Sequence, residues 1–136
     1  LFIKQVKKIF HLLRIASLLL SGCFREKTYH KNGKLKSIGA SKDGKKEGEW
    51  RYYHYNGKIL GIGYFKNDKK KGEWKYYYNN GKLLGIGSYK DGKKDGNWRE
   101  YKDNGMLIKI HTFKNGQGGW WPWIHEDNGD LWVKMY

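Results

Sequence analysis

A period of 24 residues governs most of this chain and leaves few folds open to it. Asn-Gly pairs fall at 32–33, 56–57, 80–81, 104–105 and 128–129. Gly48-Glu49-Trp50, Gly72-Glu73-Trp74 and Gly96-Asn97-Trp98 keep the same step. So do Lys42-Asp43-Gly44-Lys45-Lys46, Lys66-Asn67-Asp68-Lys69-Lys70 and Lys90-Asp91-Gly92-Lys93-Lys94, with Lys114-Asn115-Gly116 closing the series. Three interleaved markers in one register describe an array of stacked units, each too small to bury a core alone.

Each unit reads as two strands. Residues 49–55 are aromatic and β-favouring, and residues 58–66 return. Asn56-Gly57 is expected to form a two-residue hairpin turn, and the Asp-Gly-Lys-Lys segment a longer, charged turn to the next unit. That turn fixes a register. Tyr55 then faces Lys58, His54 faces Ile59, Tyr53 faces Leu60, Tyr52 faces Gly61 and Trp50 faces Gly63, with Tyr76–Gly85 and Trp74–Gly87 repeating the pattern. Rings over bare glycine backbone make one face. Tyr53 with Leu60, Tyr77 with Leu84, and Ile62 and Ile86 make the other. The fold class is all-β: an elongated antiparallel meander of repeated hairpins in a single extended sheet. Nineteen glycines exclude a helical bundle.

The array changes toward its end. Trp98 faces His111 and Glu100 faces Lys109, so both glycines are lost there. In residues 120–136 the Gly-x-Trp marker arrives one residue early, while 128–129 returns in register. This degenerate unit reads as a cap over the last edge, or as a stacking platform built from Trp120, Trp121 and Trp123.

Residues 1–22 are of another kind. They hold Lys4, Lys7, Lys8 and Arg14, no acid, and an apolar run ending in Leu20-Ser21-Gly22-Cys23. A basic start, a short apolar core and small residues before a break form a signal-peptide pattern, expected to be helical. The run is too short to span a bilayer. Leu-Ser-Gly-Cys resembles a bacterial lipobox, which implies diacylation of Cys23 and cleavage before it. Residues 23–28 are then a lipidated tether, and 29–136 the repeat domain. Residues 1–5 read as an upstream extension of the true start. By resemblance to lipoprotein sorting, Phe24 after the cysteine implies the outer membrane in a Gram-negative cell.

Gly-x-Trp-x-x-Tyr-Tyr-x-x-Asn-Gly-Lys-Leu, followed by Gly-x-Tyr-Lys-Asp-Gly-Lys-Lys, resembles the MORN-repeat variant, including the bacterial YwqK-type antitoxin proteins. The resemblance spans about residues 29 to 118. It implies stacked hairpins and little about activity.

No catalytic constellation emerges, and no enzyme, cofactor or metal is expected. His30 and His54 share a repeat position with Tyr78 and Lys102, which reads as a surface slot. His125 stands beside Glu126 and Asp127 only. Glu47, Glu49, Glu73 and Asp95 recur as turn and edge charges. The glycines of Gly61-Ile62-Gly63 alternate within a strand and open no phosphate loop. The net charge of +15 is mostly lysine. Lys45, Lys46, Lys69, Lys70, Lys93 and Lys94 would line one long edge as a basic stripe. Contacts are expected from exposed Trp50, Tyr52, Trp74, Tyr76, Trp98, Trp120, Trp121 and Trp123. The functional expectation is a lipid-anchored scaffold in the bacterial envelope, binding a protein partner or an anionic polymer. The alternative is an antitoxin or immunity-like protein, cytoplasmic if the leader is not one. Nucleic acid is disfavoured by export and by few arginines, and no small molecule is expected.

Overall fold

The computed structural model describes residues 22–118, together with the backbone of two short strands at 124–127 and 130–133. The leader, its expected helix and Trp120, Trp121 and Trp123 lie outside the described residues. Eight strands follow one another: β1 (Cys23–Tyr29), β2 (Leu35–Lys42), β3 (Lys45–Tyr53), β4 (Ile59–Lys66), β5 (Lys69–Tyr77), β6 (Leu83–Lys90), β7 (Lys93–Tyr101) and β8 (Leu107–Phe113). They form one antiparallel sheet in strict sequence order, the meander the period predicts. β9 (Ile124–Asp127) and β10 (Asp130–Val133) form a separate antiparallel pair, with Asp127 opposite Asp130. Residues 23–28, read from sequence as a tether, make up most of β1 and pair with β2 from Cys23↔Lys42 onward.

The two kinds of turn are the reverse of the expectation. The tight two-residue turns are Asp43-Gly44, Asn67-Asp68 and Asp91-Gly92, flanked by the pairs Lys42↔Lys45, Lys66↔Lys69 and Lys90↔Lys93. Both central residues have positive φ, as at Asp43 (51°) and Gly44 (74°), which gives the twist that hairpins favour. Asn56-Gly57 lies instead in a three-residue loop. The Gly57 N–H donates to the His54 carbonyl and the His54 N–H to the Lys58 carbonyl, both at 2.8 Å. Only Gly57 is left-handed (φ 88°). The Asn56 carboxamide oxygen accepts from the Lys58 N–H at 2.9 Å, an Asx bond that holds Asn56 out of that region.

The extra loop residue slips the register by one, so His54 meets Lys58 and Tyr53 pairs with Ile59, not Leu60. A bulge at Leu60 then restores Tyr52↔Gly61 and Trp50↔Gly63. The next unit repeats this, with Tyr77↔Leu83 in place of Tyr77–Leu84. The bulges carry Leu60 and Leu84 into the buried aromatic cluster, away from the aliphatic face expected for them.

The tryptophan rings do lie on glycine, but on the preceding unit. A Cβ on Gly39, Gly63 or Gly87 would fall inside the indole of Trp50, Trp74 or Trp98 respectively. The cause is a second bulge. Between Gly39↔Trp50 and Ala40↔Glu47, strand β3 carries two extra residues, Gly48 and Glu49. Gly48 takes φ 75°, which a side chain would oppose. Where the ladder is interrupted, the indole N–H donates to a backbone carbonyl: Trp50 to Ala40 (2.8 Å), Trp74 to Tyr64 (3.2 Å) and Trp98 to Ser88 (3.1 Å). Glycine is thus required only beneath a tryptophan eleven residues on. Eleven residues past His111 the chain has Pro122, and His111 is free to be large. Trp98↔His111 and Glu100↔Lys109 pair as expected, although the Glu100 carboxylate reaches His111 Nε2 (3.2 Å).

The rings form a continuous column along the array. Centroid separations are 6.2 Å for Trp50–Tyr52, 6.2 Å for Tyr52–Trp74, 5.9 Å for Trp74–Tyr76 and 6.1 Å for Tyr76–Trp98. Phe65 meets Trp74 edge-on at 5.2 Å, and Tyr89 meets Trp98 at 5.1 Å. The rim of three-residue loops is tied as well. His30 Nε2 donates to the Tyr53 carbonyl and His54 Nε2 to the Tyr77 carbonyl, each at 2.8 Å, and Tyr78 Oη donates to the Tyr101 carbonyl at 2.9 Å. The variable slot is therefore a staple between successive loops. Burial, then the charges of Glu100 and Asp103, hold the Tyr78 phenol above its ordinary pKa and keep that donor protonated.

Candidate interaction surface

The five described aromatic residues expected to make contacts are spent inside. Trp50 is 2% exposed, Tyr52 6%, and Trp74, Tyr76 and Trp98 0%. The expectation that they are a binding surface is corrected by the ring-on-glycine packing that covers them.

The lysine pairs divide in the same way. Lys45, Lys69 and Lys93 are exposed, while Lys70 is buried and Lys46 and Lys94 are half-buried. Lys70 Nζ lies 4.3 Å from the Trp74 ring centroid and 4.9 Å from that of Tyr89, and donates to Tyr76 Oη at 2.9 Å. Lys46 sits likewise over Trp50 (4.6 Å) and Phe65 (5.1 Å), and Lys94 over Trp98 (4.9 Å) and Phe113 (5.3 Å). A strand alternates its side chains between faces, so the first lysine after each tight turn points to solvent and the second into an aromatic cage. Half of the expected basic stripe is thus turned toward the aromatic rings.

The surface left open is the other face of the sheet. Cross-strand partners place Lys27, Ile38, Arg51 and Ile62 in one row, continued by Lys75, Ile86, Arg99 and Ile110. Basic and isoleucine side chains alternate across all eight strands. Beside this row run the pairs Tyr29↔Leu35, Tyr53↔Ile59, Tyr77↔Leu83 and Tyr101↔Leu107. Apolar exposure rises at β8, with Leu107 at 49% and Ile110 at 49%. On the opposite flank Glu49 pairs with Arg51 (2.7 Å) and Glu73 with Lys75 (3.1 Å). Exposed pairs of this kind contribute little stability, but they orient the basic heads. The hydrogen bond that Lys75 donates to Glu73, then the Glu73 charge, hold the Lys75 pKa above the ordinary lysine value. This row was legible in the sequence, since residues 27, 51, 75 and 99 and residues 38, 62, 86 and 110 each keep the 24-residue step.

The recurring carboxylates have local duties. Glu47 accepts from the Asn67 N–H (3.0 Å) and Asp95 from the Asn115 N–H (3.4 Å), each capping the next tight turn. Among the described residues no three of His, Cys, Asp and Glu gather as metal ligands. Cys23 is exposed at the start of β1 and forms no disulfide.

The sequence model of the MORN repeat variant family matches residues 25–43, 46–67, 70–91 and 94–115, four successive units that cover more than half of the chain. Searches of curated proteins and of solved structures give no significant match.

Proposed function

The chain belongs to the MORN repeat variant family, and from that premise we propose that it is a non-enzymatic interaction scaffold, lipid-anchored in the bacterial cell envelope. The observation that carries the scaffold reading is the open sheet face, where isoleucine and basic side chains alternate over eight strands. An apolar row with regular positive charge suits a partner that offers apolar side chains bordered by acids. That partner is an envelope protein or an anionic polymer. A photo-crosslinking residue at Ile62 or Ile86 is expected to trap one discrete adduct in cells, and the same residue at loop position Lys58 to trap none. Arg51→Glu with Arg99→Glu is expected to remove the adduct. Adducts that ignore position, or that survive both charge reversals, would defeat this reading.

The anchor rests on Leu20-Ser21-Gly22-Cys23 and on the exposure of Cys23. Because β1 begins at Cys23, a lipid there would hold the first edge of the sheet close to the bilayer, without a spacer. Mass spectrometry of the mature N-terminus is expected to find diacylglycerol on Cys23, and Cys23→Ser to move the protein out of the membrane fraction. An unmodified Cys23 in a soluble chain that keeps its leader would reverse the assignment. It would turn attention to the alternative, a toxin-neutralising role.

A further inference from the structure

The tight turns are built alike but differ in the anions that meet them. At 43–44 Cys23 and Gly44 hold the places of Glu47 and Asp68, and the Asp43 N–H is taken by the Gly22 carbonyl (3.2 Å). Around Asn67-Asp68 two carboxylates take backbone donors: Glu47 accepts from the Asn67 N–H (3.0 Å), and Asp68 accepts from the Lys46 N–H (2.7 Å). One unit later, Lys71 stands in the place of Glu47 and Gly92 in the place of Asp68. The Asp91 N–H, equivalent to that of Asn67, has no carboxylate opposite it. Here the rim opens into a concavity of about 630 Å³. Its walls carry Lys66, Lys69, Lys71 and Lys90 with the inner Lys70, and Asp91 supplies the one carboxylate of the lining. The adjoining hollow of about 360 Å³ shares Lys66 and Lys71 but contains Glu47, its own anion.

We propose that the rim concavity between the turns at 67–68 and 91–92 binds a phosphate group, which takes the place of the carboxylates that Lys71 and Gly92 remove. Four exposed ammonium groups and an unclaimed backbone N–H are the donor set such an oxyanion needs. A turn that carries its own carboxylates repels the same ligand. The site lies on the rim, away from the outer face, and stands without the scaffold reading above.

The test is a titration of the full chain with pyrophosphate at constant ionic strength, followed through the Asp91 amide resonance. Saturable binding is expected. Lys71→Glu restores the residue type found at Glu47 and Asp95, so it should keep the fold by circular dichroism while weakening binding by about tenfold or more. Lys45→Glu makes the same charge change on the rim between the turns at 43–44 and 67–68, where Glu47 and Asp68 already stand, and should bind as the unaltered chain does. A second arm compares phosphatidylglycerol with phosphatidylcholine vesicles. Lys71-dependent binding to the anionic vesicles alone marks a lipid headgroup as the source, and Lys71-dependent binding of free pyrophosphate marks a soluble phosphate. Either result supports the site. Equal weakening by Lys71→Glu and Lys45→Glu, or no saturable response at Asp91 and none to vesicles, would overturn it.

Discussion

Gly63→Ala is expected to destabilise the sheet by about 3 kcal/mol or more. The backbone there is not left-handed, so alanine meets no torsional penalty; the cost comes from the Trp74 indole, which occupies the place of the new Cβ. Trp74 has nowhere to go. It is 0% exposed, its Nε1–H is held by the Tyr64 carbonyl, and the edges of Phe65 and Tyr89 close it in at 5.2 and 5.9 Å. Gly61→Ala is a graded comparison, since its Cβ would lie 3.2 Å from Tyr76 Cδ1, a ring edge that can yield slightly. Its cost is expected near ~1 kcal/mol. Trp74→Ala alone should cost about 3–5 kcal/mol. In that background Gly63→Ala should become close to neutral, and the coupling in the double-mutant cycle should approach the whole single-mutant cost. Urea denaturation followed by far-ultraviolet circular dichroism measures all four corners. An additive cycle would show that the cost belongs to the backbone, not to the ring lying on it.

This packing explains which parts of the molecule could be read from the sequence. The strand order and the pairings Trp50↔Gly63 and Tyr52↔Gly61 follow from the period and the alternation of side chains. They survive even though the hairpin loop is one residue longer than expected, because the bulge at Leu60 cancels the slip. Sequence alone could not show that compensation, since the bulge at Leu60 is a feature of the pairing with the strand opposite. The side of each tryptophan on which the ring lies was hidden for a similar reason. It is set by the two-residue bulge at Gly48 and Glu49, a feature of the pairing between β2 and β3. With the rings turned onto the previous unit, the Trp/Tyr face becomes the core, and the face of isoleucine, arginine and lysine is left to solvent. Reading aromatic residues as contact residues fails here because glycine opposite tryptophan is a packing signal before it is a binding one.

Lys69 and Lys70 are adjacent and chemically identical, yet opposite results are expected when each is removed. Lys69→Ala should change stability by no more than about 0.5 kcal/mol, as for an exposed side chain. Lys70→Ala should cost about 2–3 kcal/mol, because it removes a desolvated cation over aromatic faces, a donor to Tyr76 Oη, and a buried aliphatic stem. Lys70→Met separates these contributions. Methionine keeps most of the stem and loses the charge, and should still cost about 1–2 kcal/mol, since the ring faces and the Tyr76 oxygen were arranged around an ammonium. The Tyr76–Tyr89 hydroxyl contact at 3.1 Å adjoins the same Nζ, so Tyr89→Phe should weaken the Lys70→Met penalty rather than add to it. Chemical denaturation of the three lysine variants, of Tyr89→Phe and of its double mutant with Lys70→Met decides the matter. If Lys70→Met proves as stable as the unaltered chain, the cage is hydrophobic packing around a stem, and the recurrence of lysine at 46, 70 and 94 has no electrostatic cause.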